Sequence, residues 1–159
     1  MQKYLYNTLI LKIMSMQITN IAWSNYRIPF RHPFITAHGT LTERVGALVT
    51  VHTDAGYIGN GETAPLPEHS GVSLTAALNA LSGLAHELRG RDVQEVLRFL
   101  AEPGQEAQLP AALLYGLETA LLDVCGQVSG QSLAELLTCD NWCEQERRPL
   151  VAPRTRIPV

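Results

Sequence analysis

The sequence predicts an α+β fold: a three-stranded antiparallel meander followed by a three-helix bundle. Two observations carry this. Apolar residues recur with a period of two from Val45 to His52 and at steps of three or four after Gly71. The connection Asp54-Ala55-Gly56 is also too short for anything but an antiparallel hairpin.

The first strand is expected over Gln17 to Tyr26, where Ile18, Ile21, Trp23 and Tyr26 stand among polar residues, and Pro29 is expected to end it. From Phe30 to Leu41, Pro33, Gly39 and several Thr and His residues give no sustained period, which predicts a long loop of the kind that often serves function. Val45, Ala47, Val49 and Val51 then alternate with Gly46, Leu48, Thr50 and His52, so the second strand has one face in a core. Tyr57 to Thr63 returns as its partner. Between Ser73 and Arg89, Leu74, Leu78, Leu81, Ala85 and Leu88 mark one face of a helix that Gly90 stops. Asp92 and Glu95 form an N-terminal capping pair for a second helix with Val93, Val96, Leu97 and Leu100 inside. The third helix begins at Pro110 and carries Leu114, Leu117, Leu121, Val124 and Val128; its other faces are largely apolar too, so it should be the most buried. A short helix is expected from Ser132 to Leu137.

Composition narrows the function. The chain has 159 residues, 46% hydrophobic and 17% charged, enough for one core. A net charge of -3 and no basic stretch interleaved with aromatics exclude nucleic acid as a partner. Three cysteines, Cys125, Cys139 and Cys143, form no even disulfide framework and suit a reducing, cytoplasmic setting. Cys139 and Cys143 lack the further ligands of a zinc site. Residues 1–15 are expected to be an N-terminal extension; their apolar run is broken by Lys12 and is too short to span a bilayer, so no membrane role is expected.

No constellation for catalysis emerges. The glycines of Gly56-Tyr57-Ile58-Gly59-Asn60-Gly61 lead into a strand, not a helix, and so miss the dinucleotide fingerprint. Glu62 and Glu68 flank a turn where a carboxylate is expected to hold loop backbone. His38 and His69 are loop residues open to either ligand or solvent. Glu118 and Asp123, on an otherwise apolar helix, call for a structural salt bridge.

Four segments then point to a family. Arg27-Ile28-Pro29-Phe30, Pro33 to Leu41, Gly59-Asn60-Gly61-Glu62-Thr63-Ala64-Pro65-Leu66-Pro67, and the helix text Gly116 to Asp123 with its exit Gly130 to Leu137 occur in order. Together they resemble the N-terminal capping domain of the muconate-lactonizing branch of the enolase superfamily, with the loops most similar to o-succinylbenzoate synthases. The resemblance covers residues 16–137 and implies that residues 138–159 are a linker leading into the first strand of a barrel. It implies a partner, a C-terminal (β/α)-barrel absent from this chain, which would hold the catalytic lysines and Mg²⁺. For this chain alone it implies no catalytic residue, no metal ligand and no cofactor.

In that family the two loops close over a small carboxylate substrate. The resemblance therefore makes Phe30 to Leu41 and Ala64 to Ser70 a lid, with Phe34 and Leu66 packing on substrate and Thr36 and His38 donating to its carboxylate. For a synthase the whole enzyme would dehydrate its substrate in menaquinone or phylloquinone synthesis. The alternatives are the cap of a dipeptide epimerase or muconate cycloisomerase, and a free-standing, non-enzymatic binding or assembly module.

Overall fold

A computed structural model of the chain describes residues 16–37, 39–66, 71–102, 104 and 109–138. The expected N-terminal extension and most of the expected linker lie outside them. Strands β1 (Ile18–Thr36), β2 (Gly39–Thr53) and β3 (Ile58–Thr63) form one antiparallel sheet in that order. Helices α1 (Leu74–Leu88), α2 (Val93–Leu100), α3 (Ala111–Ser129) and the short α4 (Leu133–Thr138) follow. The α+β meander and bundle expected from the two periods are what the chain forms.

One expectation is corrected. Residues 30–41 are not a loop between strands but the end of a long hairpin: Phe34, Ile35 and Thr36 pair with Leu41, Thr40 and Gly39. Pro29 does not end β1, since it still pairs with Glu43. The physical reason is that β1 lies at an edge, where a proline without an N–H need not interrupt the ladder of an inner strand. Between Pro29 and Phe34 the register slips, so that four residues of β1, Phe30 to Pro33, stand against Thr42. Pro33 falls inside this bulge.

The core lies between one face of the sheet and the helices. Ile18, Ile21, Val49 and Val51 from the sheet meet Ala77, Leu81, Val96, Leu113, Leu117, Leu121 and Val124 from the helices. Leu117 and Leu121 are fully buried; each such leucine contributes about 1.5–3 kcal/mol relative to exposure. By length and composition α3 is apolar enough to cross a membrane. In this fold much of that apolar surface is covered by β3, β2 and the other helices.

The helix on β3 needs glycine. A Cβ on Gly59 would overlap the Ala120 carbonyl oxygen, and one on Gly61 would overlap that of Gly116. From the other side, a Cβ on Gly116 would lie 2.7 Å from the Glu62 carbonyl oxygen. Missing side chains at these crossing points let the backbones of strand and helix approach directly. The glycines that failed as a nucleotide fingerprint are therefore packing residues.

The helix also closes the sheet edge. Asp123 Oδ2 accepts from the Asn60 N–H at 2.9 Å, and Gln127 Nε2 donates to the Ile58 carbonyl at 2.7 Å. Backbone groups of the edge strand β3 are thus satisfied from α3. The ion pair expected for Asp123 is replaced by this backbone bond; Glu118 is half-buried on the same helix.

The caps follow the sequence. Ser73 Oγ accepts from Ala76 N to begin α1, and Gly90 takes φ +81° in the turn beyond it. Asp92 accepts from the N–H groups of Gln94 and Glu95, opening α2, while the Glu95 carboxylate lies 3.8 Å from Arg91. That turn is tied to the start of β1 by bonds from Ile18 N to Arg91 O and from Gly90 N to Ile18 O, at 2.9 and 2.8 Å. At α4, Ser132 and Glu135 exchange side-chain bonds to each other's backbone N–H, a reciprocal capping box. The Ser132 N–H, and with it the Ser132 hydroxyl, both donating to the Glu135 carboxylate, hold it below its ordinary range.

Candidate functional site

Antiparallel order places three chain ends together. The end of β1, the beginning of β2 and the end of β3 all lie at one end of the sheet, so the β1–β2 hairpin and the segment after Thr63 leave from the same place. β3 pairs only with Ala47 to His52. Gly39 precedes Ala47 by eight residues, so the outer hairpin is a two-stranded arm about 27 Å long at roughly 3.4 Å per residue.

Phe34 sits on this arm, 56% exposed, its ring tilted against that of Phe30 with centroids 6.2 Å apart. The bulge brings these two rings together. Ile35 is 78% exposed and Ile28 56%, so the arm presents several large apolar side chains to solvent. Thr36 closes the tip by donating its hydroxyl proton to the Gly39 carbonyl at 3.0 Å. Leu66 is half-buried in the segment leaving β3. Phe34, Thr36 and Leu66 therefore belong to one end of the domain, with Phe34 and Thr36 on the arm and Leu66 near its base. His38, Glu68 and His69 lie outside the described residues.

Where the arm meets the segment after β3, a polar cluster joins them. The Tyr26 hydroxyl donates to Glu62 Oε1, and the half-buried Arg44 donates through Nη2 to the Ala64 carbonyl oxygen. Gly46 makes the room, because a Cβ there would overlap the Tyr26 hydroxyl and come 2.9 Å from the Ala64 Cβ. Burial raises the Tyr26 phenol above its ordinary range, and its bond to Glu62 adds to the rise, opposed by nearby Arg44. Loop backbone is held here, as expected, but by Arg44; Glu62 instead receives the tyrosine. Sequence reasoning missed Tyr26 and Arg44, since their only signal is three polar or amphipathic residues far apart in the chain. An exposed ion pair, Arg27 to Glu43 at 3.3 Å, adds little on the arm.

A separate open cleft of about 540 Å³ lies between Asn60, Leu122, Asp123, Gln127 and Leu133. Phe34, Thr36 and Leu66 are not among its walls, and its Asp123 and Gln127 are committed to the edge of β3. Among the described residues no three His, Cys, Asp or Glu side chains converge as a metal site would require. These residues do not fit a Mg²⁺ ion, which needs several oxygens in near-octahedral order.

The sheet, the glycine-crossed helix and the arm define a class of α+β domain in which an antiparallel meander precedes its helices. Residues 18–138 match the N-terminal domain of mandelate racemase and muconate lactonizing enzyme, and the chain belongs to that family, within the enolase superfamily. Its similarity extends to an aromatic dipeptide epimerase of Herpetosiphon aurantiacus, 33% identical over 69% of this chain and 31% of that protein. It is likewise similar to an o-succinylbenzoate synthase of Thermosynechococcus vestitus, 33% identical over 62% of this chain and 27% of that protein. Among solved structures, a dipeptide epimerase of Methylococcus capsulatus, complexed with Mg and the dipeptide L-Arg-D-Lys, superposes with a TM-score of 0.68 at 27% identity, covering 76% of this chain and 34% of that one. The chain thus spans about a third of the length of the relatives it matches.

Proposed function

We propose that the chain caps and selects a small carboxylate substrate for an enolase-superfamily (β/α)-barrel, working as the specificity part of either an o-succinylbenzoate synthase or a dipeptide epimerase. The observation that carries this reading is the departure of the arm and of Ala64–Leu66 from one end of the sheet. Both segments carry apolar residues, Phe34 and Ile35 on the arm and Leu66 near its base, and together they would form a cover over a floor supplied from outside the described residues. Covering a substrate removes water, which strengthens the charges acting on it, and the shape of the cover discriminates between side groups. Both reactions begin with loss of the proton α to a carboxylate. They part afterwards: the synthase expels hydroxide, and the epimerase returns a proton to the other face.

The similarity to an o-succinylbenzoate synthase and the similarity to dipeptide epimerases support the two readings equally. The test is domain exchange. Residues 16–138 replace the corresponding domain of the Herpetosiphon aurantiacus relative, and the folded chimera is assayed for o-succinylbenzoate formation and for dipeptide epimerisation. Turnover of either substrate supports capping, and the faster one names the type. A folded chimera that still binds Mg²⁺ and turns over neither contradicts it.

A further inference from the structure

We propose that Arg44, with Tyr26 and Glu62, is a positioning group that sets the path of the chain as it leaves β3, and so sets the gap between Leu66 and the arm. The inference deepens the capping reading and rests on it. Three observations on different strands converge on it. Arg44 lies on the part of β2 that has only β1 as a neighbour, yet its guanidinium reaches across to the Ala64 carbonyl, just beyond the last paired residue of β3. Tyr26 on β1 crosses over Gly46 of β2 to bond Glu62 on β3, which spans the sheet diagonally. Gly46 is the β2 residue directly opposite Tyr26, and a Cβ there would overlap the tyrosine hydroxyl and crowd the Ala64 Cβ at 2.9 Å.

The geometry has a mechanical consequence. Ala64 is the first residue after β3, so its carbonyl has no ladder partner of its own among the described strands, and a charged donor there holds the turn more firmly than a neutral one. Arginine can hold that carbonyl while its other N–H groups face the Tyr26 hydroxyl; a lysine offers a single point charge on a flexible stem. The cluster acts through Leu66, two residues along from Ala64.

The test uses amide hydrogen exchange measured by NMR on the 159-residue chain and its variants R44A, R44K and Y26F. Loss of the charged bond should speed exchange at Ala64 and Leu66 about tenfold or more in R44A, with Val49 and Val51 changed less than about twofold because β2's core pairing is untouched. R44K should restore part of the protection, and Y26F should fall between. Equal acceleration at all four amides would reduce Arg44 to a general stabilising residue, and no acceleration at Ala64 and Leu66 would remove its role altogether; either overturns the proposal. Should R44A not fold, Y26F and R44K carry the same comparison. In the chimera, R44A should change the preference between two substrates, and R44K should recover it. An inactive wild-type chimera would count against capping, whereas the exchange result judges the positioning role independently.

Discussion

Replacing Gly116 by alanine separates this packing scheme from ordinary helix energetics, because the two predict opposite signs. Alanine inside a helix normally stabilises by about 0.5–1 kcal/mol over glycine. Here the new Cβ would sit 2.7 Å from the Glu62 carbonyl oxygen and 2.8 Å from its carbon, against 3.4 Å for ordinary contact. The shortfall is 3.4 − 2.7 = 0.7 Å, and both neighbours are strand backbone that cannot rotate away. Helix α3 must therefore shift off β3. A radial gap of about 0.5–1 Å forfeits roughly a quarter to a half of each dispersion contact, and Leu117 and Leu121 share that interface. Overpacking of this kind costs about 1–3 kcal/mol, so after the helix gain the net change should be a destabilisation of up to about 2.5 kcal/mol. Gly83 is the control: it lies in α1, and a Cβ added there would meet nothing within 4 Å, so G83A should gain about 0.5–1 kcal/mol. Urea unfolding with unchanged m-values gives both numbers. If G116A stabilises as much as G83A, the helix does not lie on the strand as described.

Two further outcomes follow from groups on α3. Asp123→Ala should cost about 0.5–1.5 kcal/mol by removing an exposed bond to the Asn60 N–H, and Asn60 should exchange faster, while Asp123→Asn keeps an acceptor oxygen and should lose less. Equal losses in the two variants would show that the carboxylate charge, not the bond, matters. Burial pushes the Cys125 thiol up to about 12, with Asp92 adding to the rise. Its contribution to stability should be complete below an unfolded thiol's value of about 8.5 and fall as pH rises from there toward 12, since only the unfolded chain then loses the proton. Peptide mapping after iodoacetamide treatment at neutral pH should find Cys125 alkylated no faster than the protein unfolds; rapid native labelling would contradict its burial.

Most of the fold is legible in the sequence, because a half-buried strand and a one-faced helix each leave a periodic mark. Val45 to His52 alternates because one face meets α3, and Leu117 and Leu121 keep helical spacing because both point at the sheet. The arm was not legible for the complementary reason. From Phe30 to Leu41 neither face is in a core, so no alternation is imposed, and Pro29 and Pro33 read as stops although an edge strand and a bulge accommodate them. Glycine is ambiguous in the same way: Gly59, Gly61 and Gly116 announce freedom of backbone, but only the crossing with α3 shows that the need is for space. The candidate lid residues came from family resemblance. Tyr26, Arg44 and Glu62 came from neither period nor motif, since their meeting depends on strand register.

The central claim is that the arm and the segment after β3 select substrate without making the metal site. It is tested most directly by Phe34→Ala and Leu66→Ala in the active chimera, measuring kcat/KM for two substrates that differ in side-group size, together with the Mg²⁺ dissociation constant. The account predicts that the ratio of the two kcat/KM values shifts by about tenfold or more, the scale of about 1–3 kcal/mol available to apolar shape selection, with metal affinity within about twofold of the parent. Equal loss for both substrates, or no change in the ratio, would contradict it.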